Sequence, residues 1–139
     1  AWEYLIKQEF LTVEVILETH RILMLNQDLL PEEKGHFRKI KVWIAGREGL
    51  EHTKILKAIK QWIKNANDIV QNGKKESKIF FERGIKEQHV KYEEIHPWCD
   101  GNGRTGRMFL NWTRVKLGLP ILIIKANERQ KYYEWFENK

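Results

Sequence analysis

Twelve consecutive residues hold most of the chemistry this 139-residue chain can offer. They read His96-Pro97-Trp98-Cys99-Asp100-Gly101-Asn102-Gly103-Arg104-Thr105-Gly106-Arg107. The run opens on an imidazole, which can act as a general base near neutral pH. Asp100 is a hard oxygen ligand of the kind that takes Mg²⁺ bridging phosphates. Gly101, Gly103 and Gly106 let successive backbone N–H groups turn toward one concavity, and the start of a helix adds partial positive charge there. Arg104 and Arg107, three residues apart on one helical face, can grip different phosphates. Base, metal ligand, anion cradle and phosphate clamps together match the needs of nucleotide phosphoryl chemistry. Taken singly, each feature is ordinary: a histidine ending a helix, an Asx-Gly turn, two solvated arginines. Their coincidence at a helix–loop–helix junction marks the site. No Gly-Lys-Ser/Thr follows the glycines, which excludes a Walker loop. No strand precedes them, which excludes a dinucleotide fingerprint.

Three neighbours invite other readings. His89, seven residues before His96, suggests a zinc pair, but no cysteine or third histidine completes one, so a buried, hydrogen-bonded support for the motif is expected instead. Cys99 lacks a dedicated base and is not expected to be a nucleophile. Trp135 and Phe136 read as core.

The elements that hold this run are helices. Trp2 to Leu25 carries apolar residues at three- and four-residue steps and predicts one amphipathic helix. Asp28-Leu29-Leu30-Pro31 breaks it. Lys39 to Ile44 alternates and predicts a short strand or hairpin, with Gly46 and Gly49 behind it. Thr53 to Val70 is helical again, and Gln71 to Lys75 is a turn. Ser77 is a candidate cap for a helix over Ile79–Ile95 that His96-Pro97 ends. A helix from Gly103 to Leu117 stops at Gly118-Leu119-Pro120. Ile121 to Ile124 predicts a short buried segment, and Glu128 to Phe136 a closing aromatic helix. This is an all-α pattern with one β excursion in a single domain of residues 1–139.

Composition supports a packed core. Of the residues, 42 % are hydrophobic, including six Trp, six Phe and four Tyr, which excludes a disordered chain. Cys99 is the sole cysteine, so no intrachain disulfide forms, and a cytoplasmic setting is expected. The longest late apolar run, Leu119 to Ile124, is too short for a membrane span. Residues 1–9 are unlike a signal peptide, and a start at Ala1 rather than Met suggests a trimmed chain. The net charge of +6 is uneven: residues 1–69 hold 11 basic and 10 acidic side chains, and residues 70–139 hold 14 and 9. That excess is either a solvated surface or a partner for phosphate. The basic residues form no evident stripe along the chain, which argues against nucleic acid.

The twelve-residue run resembles the signature of the Fic (Fido) family, His-x-Phe-x-Asp/Glu-Gly-Asn-Gly-Arg-x-x-Arg, with Trp98 where phenylalanine is usual. Gly35-His36-Phe37-Arg38 is similar to that family's Gly-x-x-Arg before its hairpin flap. Val42, Trp43, Ile44 and Ala45 fall where the flap lies, and Arg129 to Tyr133 looks like the segment beside the adenine. The likeness runs from about residue 17 onward. It implies a Fic-type all-α fold with one short β-hairpin flap and transfer of AMP from ATP to a protein Ser, Thr or Tyr hydroxyl. By position, His96 would be the general base and Asp100 would hold Mg²⁺. Backbone N–H groups of Gly101 to Gly103, with Asn102, would form the anion hole. Arg104 and Arg107 would bind the outer phosphates, with Thr105 and Gly106 in the same ATP-binding run. Tyr132 or Tyr133 would border the base, and the flap would hold the target by strand-like hydrogen bonds. Transfer of phosphate, UMP, GMP or phosphocholine on the same scaffold is the alternative, as is nucleotide or nucleic-acid binding without turnover. Gly103, where one phosphate-transferring branch has lysine, favours AMP. The family's inhibitory Ser/Thr-x-x-x-Glu-Gly/Asn pattern is absent from the sequence: Glu48-Gly49 follows Ile44, and Glu137-Asn138 follows Tyr133. Control by an inhibitory partner or flanking helix is therefore expected, if the domain is controlled at all.

Overall fold

The structure is a computed structural model that describes residues 1–73 and 78–137, with only the helical backbone described at 78–80. Its described elements are α1 (Trp2–Ile6), α2 (Val13–Leu23), β1 (Trp43–Ile44), β2 (Arg47–Glu48), α3 (Ile55–Asn72), α4 (Lys78–Ile95), α5 (Asn102–Lys116) and α6 (Arg129–Tyr133). Short 3-10 turns at Pro31–Glu33, His52–Lys54, Ala126–Glu128 and Glu134–Phe136 join them. The all-α expectation with one hairpin holds.

The core lies where α3, α4 and α5 pack together. Ile55, Ile59, Trp62, Ile63 and Ala66 form the buried face of α3. Trp62 meets Tyr92 of α4 and Phe109 of α5 with ring centroids 5.0 and 5.7 Å away, and Tyr92 meets Phe109 at 5.3 Å. These tilted arrangements suit aromatic quadrupoles. The Trp62 indole N–H donates to the Gln88 carbonyl at 2.7 Å, and the Gln88 amide donates back to the Trp62 carbonyl at 3.0 Å. That exchange fixes the register of α3 against α4, and thereby of the helix that ends at His96.

The single N-terminal helix expected over Trp2–Leu25 is two helices. The Leu11 N–H and carbonyl both bond the Asn67 side-chain amide of α3, each at 2.9 Å, which diverts that backbone from a helical ladder. Thr12 then caps α2 by accepting from the Val15 N–H. Phe10, counted in the apolar stripe, is 44 % exposed at this break.

The predicted strand over Lys39–Ile44 shrinks to two paired residues, Trp43 opposite Glu48 and Ile44 opposite Arg47. Ala45 and Gly46 turn between them with φ of 50° and 80°, the two positive values a tight hairpin turn requires. Helix α3 runs on to Asn72, beyond the expected turn at Gln71. The proposed Ser77 cap lies outside the described residues. Ile121 to Ile124 is not a buried segment: Ile121 and Ile123 are 51 % and 69 % exposed. The Asn111 side chain pins it by accepting from the Leu122 N–H and donating to its carbonyl. Trp135 and Phe136 are half-buried rather than core. Lys54, Lys57, Lys60 and Lys64 are all exposed along α3 and the turn before it, a short basic stripe where none was expected.

Candidate functional site

The floor of the site is aromatic. Trp98 is fully buried between His20 and Phe37. Its indole N–H donates to the Tyr92 hydroxyl at 2.7 Å. The Tyr92 hydroxyl meets Thr105 Oγ1 at 2.7 Å, and Thr105 donates to the Gly101 carbonyl at 2.8 Å. A tryptophan at this position thus adds a donor that phenylalanine would lack. The side chain of Asn102 clamps the other end: it accepts from the Trp98 N–H at 3.0 Å and donates to the Trp98 carbonyl at 2.8 Å. These bonds close the loop into one shape. Gly101, at φ +85°, turns the chain into α5, and a Cβ there would stand 2.9 Å from Met24 Sδ. No side chain caps α5, so its first N–H groups keep their donors free of side-chain acceptors.

His96 ends α4 with φ of 49°, a left-handed conformation uncommon for a side chain with a Cβ. Arg38 secures that turn. Its buried guanidinium donates to the carbonyls of His96 (2.6 Å), Ile40 (2.8 Å), Leu50 (2.6 Å) and Ile95 (3.3 Å). One cation therefore holds the end of α4 and both ends of the flap. His96 Nδ1 is buried with no hydrogen bond of good geometry. Burial pushes the His96 pKa down, the Glu93 backbone draws it back up, and Arg38 adds to the lowering. The imidazole is thus biased to the neutral form a base requires.

Asp100 is half-engaged. Its carbonyl accepts from His20 Nε2 at 2.9 Å, and its carboxylate accepts from the Gly101 N–H at 2.8 Å and faces Arg104 at 3.5 Å. Both Asp100 and Arg104 remain largely exposed, so this pair is open to a competing anion or cation. Among the described residues no group of three or more His, Cys, Asp or Glu gathers around a point. Asp100 alone offers a carboxylate beside the free end of α5.

A second network lies under Arg107. His89 is buried; its Nδ1 lies 3.2 Å from the Gly106 carbonyl and therefore carries the proton, and Nε2 accepts from the Tyr132 hydroxyl at 2.8 Å. The Arg107 guanidinium lies against that same hydroxyl. The expected supporting role of His89 is thus what the geometry gives. Burial drives the His89 pKa down to about 4, so the ring is neutral. Glu93 stands beside it, Oε1 buried without a partner, and burial raises its carboxyl to about 7 despite Arg107. Gly106 lets this happen, because a Cβ there would run into Glu93 Oε1 and the Tyr92 ring.

A cleft of about 660 Å³ opens between the flap and the C-terminal turn. Ile44 and Ala45 wall one side, Tyr132, Tyr133 and Phe136 the other, with Glu93 and His96 at the base. Of the four flap residues singled out in the sequence, Val42 and Trp43 do not line it. Val42 packs over Gly49, and Trp43 is 68 % exposed. Within the motif, Thr105 and Asn102 face inward and are spent on loop closure, and Gly106 is buried against Glu93. These three are buried beneath the loop, and none of residues 100–107 lines this cleft. His20 and Glu93 were not legible as site residues, and Arg38 was legible only as part of a short pattern. Burial pushes the Cys99 thiol up, which disfavours its nucleophilic form.

A family model described as the Fic/DOC family matches residues 10–113. The chain is 31 % identical over 134 residues to the protein adenylyltransferase Fic of Aedes aegypti, and 30 % identical over 134 residues to that of Culex quinquefasciatus. Each alignment covers 94 % of this chain and 25 % of the relative, so the chain spans about a quarter of the length of those curated relatives. A Fic-domain-containing signaling protein from Bacteroides thetaiotaomicron superposes with a TM-score of 0.75 at 20 % identity, over 96 % of this chain and 51 % of that one. The Fic-1 protein of C. elegans superposes with a TM-score of 0.69 at 27 % identity, over 94 % and 37 %.

Proposed function

The chain belongs to the Fic/DOC family, and from that premise we propose that it transfers AMP from ATP to a Ser, Thr or Tyr hydroxyl of a target protein. The curated relatives named protein adenylyltransferase support a nucleotidyl-transfer reading. The observation that carries it is the pairing, at the two ends of one short loop, of a neutral-biased His96 with the uncapped start of α5. The target hydroxyl oxygen attacks the α-phosphorus while His96 takes the hydroxyl proton. The bond from the α-phosphorus to the bridging oxygen breaks, and pyrophosphate leaves. Free N–H groups at Gly103 and Arg104 donate to the phosphoryl oxygens and stabilise their negative charge. Arg104 and Arg107 hold the outer phosphates, and Tyr132 and Tyr133 border the base. The flap holds the target segment, with Ile44 and Ala45 on the cleft side. Asp100 suits Mg²⁺, which is commonly bound through one carboxylate plus substrate phosphates; when bound, the ion neutralises phosphate charge. We read the 139 residues as a single Fic domain that acts on a protein partner.

The test is incubation with cell lysate and ATP labelled at the α- or the γ-phosphate. Protein labelled from the α position alone supports AMP transfer; labelling from γ alone means phosphate transfer and rejects it. His96→Ala should cost about 10²–10⁴-fold in rate with ATP binding retained by calorimetry. A fully active His96→Ala protein would remove the base.

A further inference from the structure

The cleft does not end at the flap. Leu50, which lines it, also lines a groove of about 870 Å³ walled by Lys54, Lys57 and Lys60, with Leu56 on its floor. Leu50 lines a smaller hollow of about 360 Å³ as well, together with Lys91 and Glu94 of α4. The lysines are not there to fold α3. Its packing uses the opposite face, through Ile55, Ile59, Trp62, Ile63 and Ala66. Like charges three residues apart on a helix oppose its formation. Among the described residues Arg21, Lys41, Lys64, Arg83 and Arg104 each hold a carboxylate within 3.5 Å, and most of the other lysines and arginines do not. Lys54, Lys57 and Lys60 hold no carboxylate among the described residues. These three cations border a groove that is also lined by the apolar Leu50, Leu56 and Ala58, with Leu56 45 % exposed. The groove and the cleft share Leu50 as a lining residue.

We propose that this groove binds an acidic segment of the target protein, so that the enzyme prefers hydroxyls flanked by Asp and Glu residues with an apolar residue among them. The proposal rests on the transferase reading above, since it is the hydroxyl-bearing chain that runs out of the cleft over Leu50. Cations at the rim meet carboxylates, and the Leu50–Leu56 floor takes the apolar side chain. A nucleic acid would answer the charge but leave that floor unmatched.

The test uses short fluorescein-labelled peptides carrying one threonine beside a Glu-rich tract with a single leucine, and matched peptides with Gln for Glu. Fluorescence anisotropy reads binding without requiring catalysis. The Glu peptide should bind roughly tenfold tighter than the Gln peptide at low salt, and added salt should erase the difference. Lys57→Gln/Lys60→Gln should abolish the preference, and Lys57→Glu/Lys60→Glu should reverse it, with thermal melting not lowered in the first variant. Equal binding of the two peptides by the wild type overturns the proposal. So does an RNA oligonucleotide that binds these lysines more tightly than the Glu peptide. AMP transfer from α-labelled ATP to the same peptides separates the two claims. Transfer with no preference for Glu rejects the groove and keeps the enzyme. Binding preference with no transfer to any peptide or lysate protein rejects the enzyme, and with it the target assignment.

Discussion

The His20 ring lies flat on the Trp98 indole, centroids 3.9 Å apart and planes within 4°. The same imidazole accepts from the Gly35 N–H through Nδ1 and donates to the Asp100 carbonyl through Nε2, each at 2.9 Å. A residue eighty positions away in sequence thus sets where the candidate metal ligand stands. Burial lowers the His20 pKa, consistent with a neutral ring that has one donor and one acceptor.

His20→Phe keeps the stack and removes both hydrogen bonds. It should destabilise the fold by about 2–3 kcal/mol, because a buried N–H and a carbonyl lose their partner. Urea unfolding checks the stability. A drop in transfer rate larger than the folded fraction explains would show that the loop shape itself has relaxed.

Trp98→Phe keeps the aromatic floor and deletes the donor to Tyr92. The Tyr92 hydroxyl still has Thr105, so the lost bond costs about 1 kcal/mol, and the space the smaller ring leaves at this fully buried position adds roughly as much again. The midpoint of denaturation should fall accordingly, and activity should persist. A collapse of activity would mean that the indole N–H is essential to the cradle.

Arg38→Lys should be far from conservative. One ammonium cannot reproduce a planar fork that donates to four carbonyls. We expect a loss of about 3 kcal/mol or more, since buried acceptors go unpaired. Near-wild-type stability by thermal melting would contradict this.

Glu93 and His89 predict opposite pH trends. The Glu93 carboxyl is raised to about 7 in the fold from 4.5. Its contribution is therefore fully present below pH 4.5 and lost as pH rises through 7. The His89 pKa is depressed from 6.5 to about 4. Its contribution is present above pH 6.5 and lost as pH falls through 4. Each amounts to about 3 kcal/mol on that scale. Glu93→Gln should therefore stabilise the protein more at pH 7.5 than at pH 5, as read by urea unfolding at both values. An equal effect at the two pH values would place the Glu93 titration elsewhere.

The lowered pKa of His96 predicts that the acid limb of kcat/KM falls below pH 6.5, the ordinary value for histidine. A limb at or above that value would mean that another group controls the rate.

The candidate loop could be picked out because its chemistry is contiguous: twelve residues carry imidazole, carboxylate, glycines and arginines in one reading frame. The helical stripe of α3 was legible for the same local reason. What escaped depends on distance along the chain. His20, Arg38 and Glu93 are ordinary residues until the fold brings Asp100, the flap carbonyls and Gly106 to them. The break between α1 and α2 was hidden because apolar spacing continues through it, and the interruption comes from Asn67, fifty-six residues away. The run Ile121 to Ile124 misled because apolarity does not specify burial where a side-chain amide already holds the backbone.

The Arg38 fork has an evolutionary consequence. In the flap it grips only main-chain oxygens, at Ile40 and Leu50, and is indifferent to what those residues carry beyond Cα. Outside the Ala45-Gly46 turn and the close Val42–Gly49 contact, the intervening side chains can therefore vary while the hairpin keeps its trace. Substitutions on the outer face of the hairpin should therefore leave the turn at His96, held by the same guanidinium, where it is.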